Sequence, residues 1–280
     1  MKFIRYLRFD IQQGILRNKA LLFTPAVIAI IIFLDFVGKA HRFLDAGLIA
    51  EGVSYGDYCF YLYGGMYEYI PDVANAFRFP VVWITVFLVI PFLLLNYPFK
   101  DLFGAGQQIL VRSGRRTAWW MSKCCWNILG TILYHLIMQL TALALFGVLR
   151  MEISNRIHMD FIRLAFQIGH QEVWEQSILP FAVAFLPILV SVSINMFQMT
   201  LSLFVKPIFG FFTVSLLFLA SAYRLSSWLI GNYAMIYRYD WMLKTGVSMK
   251  VGAGMVASLL FVSVIAGLIR FRYYDILEKE

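Results

Sequence analysis

The run from Ala20 to Leu34 carries no charged residue, and five further stretches of similar length are almost as apolar. A helix of roughly 20 mostly apolar residues crosses the hydrocarbon core of a bilayer. Six spans are therefore expected, at 20–37, 79–97, 124–148, 177–204, 208–226 and 251–269. A water-soluble fold of such a chain would expose large apolar patches, which soluble proteins avoid. Composition agrees: 61% of the 280 residues are hydrophobic and 14% charged, against about 45–50% and about 25% in soluble domains. The fold class expected is an all-α integral membrane protein, one transmembrane domain over 1–280, multi-pass in the plasma membrane. The start is basic before it is apolar and has no small-residue cleavage site, which reads as a retained anchor.

The formal net charge of +8 is sorted by side. With both termini cytoplasmic, segments 1–19, 98–123, 205–207 and 270–280 hold 14 basic and 5 acidic residues. The segments on the other side hold 10 basic and 11 acidic residues. This is the positive-inside pattern, and no nucleic acid is needed to explain the excess. Residues 38–78 read as an ordered outer cap. Segment 223–243, with Tyr223, Trp228, Tyr233, Tyr237, Tyr239 and Trp241, reads as an outer interfacial helix whose aromatics lie at headgroup level.

Several chemistries are missing. No G-x-x-x-x-G-K-[ST], H-E-x-x-H, G-x-S-x-G or C-x-x-C occurs, so neither a nucleotide site, a zinc protease nor a serine hydrolase is encoded by motif. His41, His135, His158 and His170 lack ligand spacing, and Cys59, Cys124 and Cys125 form no disulfide framework. No catalytic, cofactor or metal site is expected. Within the spans, Asn127, His135, Gln139, Asn195 and Gln198 are the polar residues to explain. Either they join helices by hydrogen bonds or they line a substrate path. An intramembrane ionisable residue is a functional hypothesis by default, so a membrane-embedded enzyme using His135 is the rival from another class.

Two segments at the basic side stand out. Phe3, Leu7, Ile11 and Ile15 recur at helical spacing while Arg5, Arg8, Gln12, Arg17 and Lys19 occupy other faces. That is an amphipathic interfacial helix over 1–19. Between the second and third spans, a short helix over 98–111 presents Phe99, Leu102 and Phe103 with Gln107 and Gln108. It is followed by a basic turn of Arg112, Arg115 and Arg116. Trp119 and Trp120 then re-enter the bilayer, with Lys123 at headgroup depth. The exposed apolar and amide groups of 98–111 suggest a protein partner docking from the cytoplasm.

This arrangement resembles the permeases of ABC-2 (type V) exporters: an amphipathic amino-terminal helix, six spans, and a coupling helix between the second and third. The run from Arg112 to Lys123 is similar to the basic and aromatic segment after the coupling helix in bacterial members. Within the family the chain is most similar to permeases exporting amphipathic peptides, of the phenol-soluble modulin or bacteriocin type. The resemblance implies a homodimer, or a pseudo-dimer, of permeases bound to two cytoplasmic ABC ATPase subunits, which would carry the ATP and magnesium. It implies contacts to the ATPase through Phe99, Lys100, Asp101, Leu102, Phe103, Gln107, Arg112, Arg115 and Arg116. The chain itself would then be a transport subunit and not an enzyme. Alternatives are an ABC permease for lipid or drug export and an immunity protein that sequesters peptides.

Overall fold

The computed structural model describes residues 2–70, 77–104, 106–108, 110, 115–168 and 173–274. Among these the chain is helical, with four isolated β-bridges and no strand. The helices are α1 (Lys2–Asp10), α2 (Lys19–Asp45), α3 (Tyr55–Tyr63), α4 (Val81–Leu94), α5 (Tyr97–Leu102), α6 (Arg116–Val148), α7 (Met159–Phe166), α8 (Phe181–Leu201), α9 (Pro207–Tyr223) and α10 (Met249–Arg272). Five segments are long and apolar enough to cross a membrane: α2, Val81–Leu102, α6, α8 and α10. The sixth expected span, α9, has 17 residues, the lower end of the range for a crossing helix.

The boundaries follow local chemistry. Asn18 caps α2 by accepting the Leu21 N–H at 3.2 Å, and Pro207 opens α9 at a position where a missing N–H costs nothing. The connection between α8 and α9 runs over residues 202–206, five residues in place of the expected 205–207, and Pro180 stands just before α8 and not inside a span. Two helices overrun their expected spans: α2 continues to Asp45, and α6 begins at Arg116. At 1.5 Å per residue the 33 residues of α6 reach about 50 Å, well beyond a hydrocarbon core of about 30 Å.

Packing places α1 and α2 along α6, α6 against α8, and α8 against α10. Hydrogen bonds join the layers where the sequence offered only isolated amides. Asn195 Nδ2 donates to Thr131 Oγ1 at 3.0 Å, Asn127 Nδ2 to the Asn195 carbonyl at 3.4 Å, and Thr200 Oγ1 to the Ser263 carbonyl at 2.8 Å. Near the end of α4, the Leu95 N–H turns to the Phe92 carbonyl, and the Pro91 carbonyl instead accepts Gln198 Nε2 at 2.9 Å. A carbonyl left without an intrahelical partner at the helix end is satisfied here by a neighbouring helix. Asn127, Asn195 and Gln198 therefore join helices.

The 38–78 region is ordered as expected over its described part, and it goes deeper than a cap. Ser54 and Asp57 form a reciprocal capping box that starts α3. Every residue from Gly56 to Tyr63 is buried, packed among α2, α4, α7 and α8. Asp57 also accepts the His158 N–H at 2.7 Å and lies 2.6 Å from His158 Nδ1. Burial pushes the Asp57 carboxyl up, opposed by the N–H groups of Ser54 and His158.

Segment 223–243 is not the expected interfacial helix. It forms two short 3-10 turns, Ile230–Ala234 and Ile236–Arg238, and Tyr233, Tyr237 and Tyr239 are fully buried. The reason is Arg238, whose guanidinium is itself buried. It donates to the carbonyls of Met66 (2.8 Å), Tyr67 (2.9 Å) and Ala222 (2.7 Å), and also to Ser221 and Asn232 Oδ1. The carbonyls at the end of α9, which have no partner within the helix, thus pull the segment into the bundle. Burial without a bonded carboxylate brings Arg238 down to about 10.

Close helix approach is set at Gly267 of α10, where a Cβ would overlap the Trp120 ring of α6. Gly267→Leu is expected to cost about 1–3 kcal/mol through overpacking. Gly254, which faces open space, should gain about 0.5–1 kcal/mol on substitution by Ala. Unfolding transitions of the two variants in detergent micelles check the contrast.

Candidate functional site

The overrun of α6 positions the most unusual chemistry in the molecule. Lys123 sits in its third turn, about 10 Å from the helix start at 1.5 Å per residue, and is fully buried. Its ammonium bridges two carboxylates: Asp10 Oδ1 from the end of α1, and Asp101 Oδ2 from α5 at 2.6 Å. The remaining acceptor capacity is filled by neighbours. Ser122 Oγ donates to Asp10 Oδ2, Tyr97 OH to Asp10 Oδ1 at 3.0 Å, and Trp119 Nε1 to Asp101 Oδ2 at 3.1 Å. The cation also lies over the Tyr97 ring at 4.7 Å and the Trp119 ring at 4.9 Å, a geometry that attracts a positive charge.

Local sequence builds this arrangement. Asp10 follows Tyr6 by one helical turn, and both face α6, so the protein-facing stripe of α1 is Tyr6–Asp10. Of the expected Phe3–Leu7–Ile11–Ile15 stripe, the first three lie beside it and are half-buried, and Ile15 is buried. A π-helical turn over Ile11–Leu16 follows, and Gly14 within it has no room for a Cβ against Trp126 and Tyr97. Gly106 closes on Asp101 in the same way. With two carboxylates and one ammonium the cluster carries a formal charge of −1.

The expected contact set divides between two faces. The helix foreseen over 98–111 is interrupted: α5 ends at Leu102, Phe103 and Gly104 form a turn, and residues 106–108 and 110 are again helical. Asp101 and Leu102 turn inward and are buried, so neither presents itself to a partner. Phe103 and Lys100 are exposed, Phe99 and Gln107 half-buried, and Arg115 exposed. Arg116 donates to the carbonyls of Arg272 (2.8 Å) and Tyr274 (2.7 Å), capping the end of α10. Arg112 lies outside the described residues. Trp119 and Trp120 are buried, stacked on and beside Phe271, and do not sit at an interface.

Beside α5 lies a groove of about 650 Å³. Phe99 and Phe103 form one wall, Phe204 and Lys206 of the α8–α9 turn another, and Arg270 and Tyr274 the third. Arg270 lies over the Phe204 and Tyr274 rings, each at 5.6 Å.

The other sequence candidates, His135 and Gln139, form a separate core network. Tyr63 OH accepts from Gln139 Nε2 at 3.2 Å and lies 3.0 Å from His135 Nδ1, and Tyr55 OH donates to Gln139 Oε1 at 2.6 Å. The other ring nitrogen, Nε2, is buried and has no hydrogen-bond partner among the described residues. Tyr63 and Tyr134 pack against the ring, and among the described residues no three His, Cys, Asp or Glu side chains could hold a metal ion. The network fastens α3 to α6.

Fold and site together define a multi-pass helical protein with a charge-clamped terminal helix and a short helix exposed beside a groove. The chain belongs to the family described as Protein of unknown function (DUF2705), whose sequence model matches residues 26–277. No curated protein and no solved structure matches it.

Removing the cation leaves two buried carboxylates unpaired. Lys123→Met should therefore cost about 3–5 kcal/mol. Adding Asp10→Asn and Asp101→Asn should recover part of that loss, which unfolding transitions of the single and triple variants can measure.

Proposed function

We propose that the chain is the membrane-spanning permease subunit of an ATP-driven exporter of the ABC-2 type, acting as a homodimer with two cytoplasmic ATPase subunits. The end of the bundle with α1, α5 and the α8–α9 turn then lies in the cytoplasm, and α9 is the sixth span. The observation that carries this reading is the two-sided character of α5. Asp101 and Leu102 anchor it to the bundle, while Phe103 and Lys100 are left outward beside the groove. A lever between a soluble motor and a membrane domain requires that division, with one face fixed to the spans and the other free for the motor. Phe99, Gln107 and Arg115 flank the outward face, and Lys206 and Arg270 make the groove basic, suited to an acidic surface on the ATPase.

Binding of nucleotide to the ATPases would favour one of two permease conformations, and the differential contacts at α5 would transmit that preference. The cargo proposed is a hydrophobic or amphipathic peptide leaving the cell. ATP and magnesium reside on the partner, and the chain performs no chemistry of its own.

Co-purification with candidate ABC ATPases, followed by ATP turnover in lipid, tests the proposal. Phe103→Asp should lower recovered ATPase at least tenfold without changing the unfolding transition of the permease. Undiminished association in that variant would remove α5 from the docking surface.

A further inference from the structure

At the opposite end from α1, between α2 and α4, lies a second cleft of about 580 Å³. That is within the range of about 300–1,000 Å³ for small-ligand sites. Ile28, Ile32 and Trp83 form apolar walls, and Ile31 and Val81 at the rim are exposed, continuous with the apolar outer faces of the spans. One end is polar. Lys39 Nζ donates to Asp35 Oδ2 at 3.0 Å and to Tyr61 OH, and Tyr61 OH donates to the same carboxylate. An ammonium has three donors, so one remains for another acceptor, and Lys39 keeps 31% of its side-chain surface exposed. Arg78 lines the same end, is exposed, and bonds no carboxylate among the described residues.

Position along α2 bears on the occupant. Asp35 and Lys39 lie 16 and 20 residues beyond Lys19, about 24–30 Å at 1.5 Å per residue. The polar end is thus at the edge of a hydrocarbon core of about 30 Å, where lipid headgroups sit, and the apolar walls face the acyl region. With Lys39, Arg78 and Asp35 the end carries a net formal charge of +1, complementary to an anionic headgroup and opposed to a cationic peptide.

We propose that this cleft is a binding site for an anionic phospholipid, with an acyl chain between α2 and α4 and the phosphate at Arg78 and Lys39. The site stands independently of the transport reading, since it requires only that the chain be embedded in a bilayer.

The test uses the full chain in nanodiscs containing phosphatidylglycerol with a photoreactive group in mid-chain, and maps the crosslinked peptides by mass spectrometry. Crosslinks should concentrate on residues 28–39 and 78–85. Arg78→Glu should lower their yield at least fivefold and Arg78→Lys should largely keep it. Thr85→Trp, which fills the slot, should abolish them, and phosphatidylcholine carrying the same group should label the cleft several-fold less. Even labelling of all lipid-facing helices, equal labelling by the two lipids, or indifference to Arg78→Glu overturns the proposal. So does displacement of the lipid by a cationic amphipathic peptide.

Discussion

An ammonium buried between two carboxylates is the interaction on which this molecule's most distinctive end depends. Removing three charges from water is costly, and the attraction among them compensates only when hydrogen bonds satisfy what remains. Here Ser122, Tyr97 and Trp119 supply those bonds, and two aromatic rings bracket the cation. The three charged members come from α1, α6 and α5. A six-residue helix such as α5 has little stability of its own. Its Asp101 gives it a fixed place against a 33-residue helix.

The other end is held by a different device. Arg238 gathers carbonyls from the end of α9 and from residues 66–67, and Asp57 ties the start of α3 to His158. Each replaces hydration lost when these groups are buried in the protein. Between the two ends the spans are joined by single amides and hydroxyls, each worth on average about 0.6 kcal/mol.

Much of the helical plan was legible because crossing a bilayer demands long apolar runs, which a sequence displays openly. All six expected stretches coincide with helices, and Asn127, Asn195 and Gln198 take the helix-joining role open to amides among apolar neighbours. Charge partnership was not legible. Lys123, seven residues beyond the last arginine of the basic turn, looked like an interfacial cation, and Asp10 was one acid in a basic segment. Their pairing spans more than a hundred residues, and no local periodicity records it. The clue was the stripe Tyr6–Asp10–Gly14, which puts a carboxylate and a glycine on one face of the first helical segment. Likewise Tyr233, Tyr237 and Tyr239 gave an interfacial signal although they are buried, because burial around Arg238 depends on carbonyls whose position only the fold supplies.

Amide hydrogen exchange measures most directly whether the charged cluster joins α1 and α5 into one unit. In Lys123→Met, exchange should accelerate together in Lys2–Asp10 and Tyr97–Leu102 while α8 and the first half of α10 keep their protection. Acceleration in only one of the two segments, or in neither, would contradict the account.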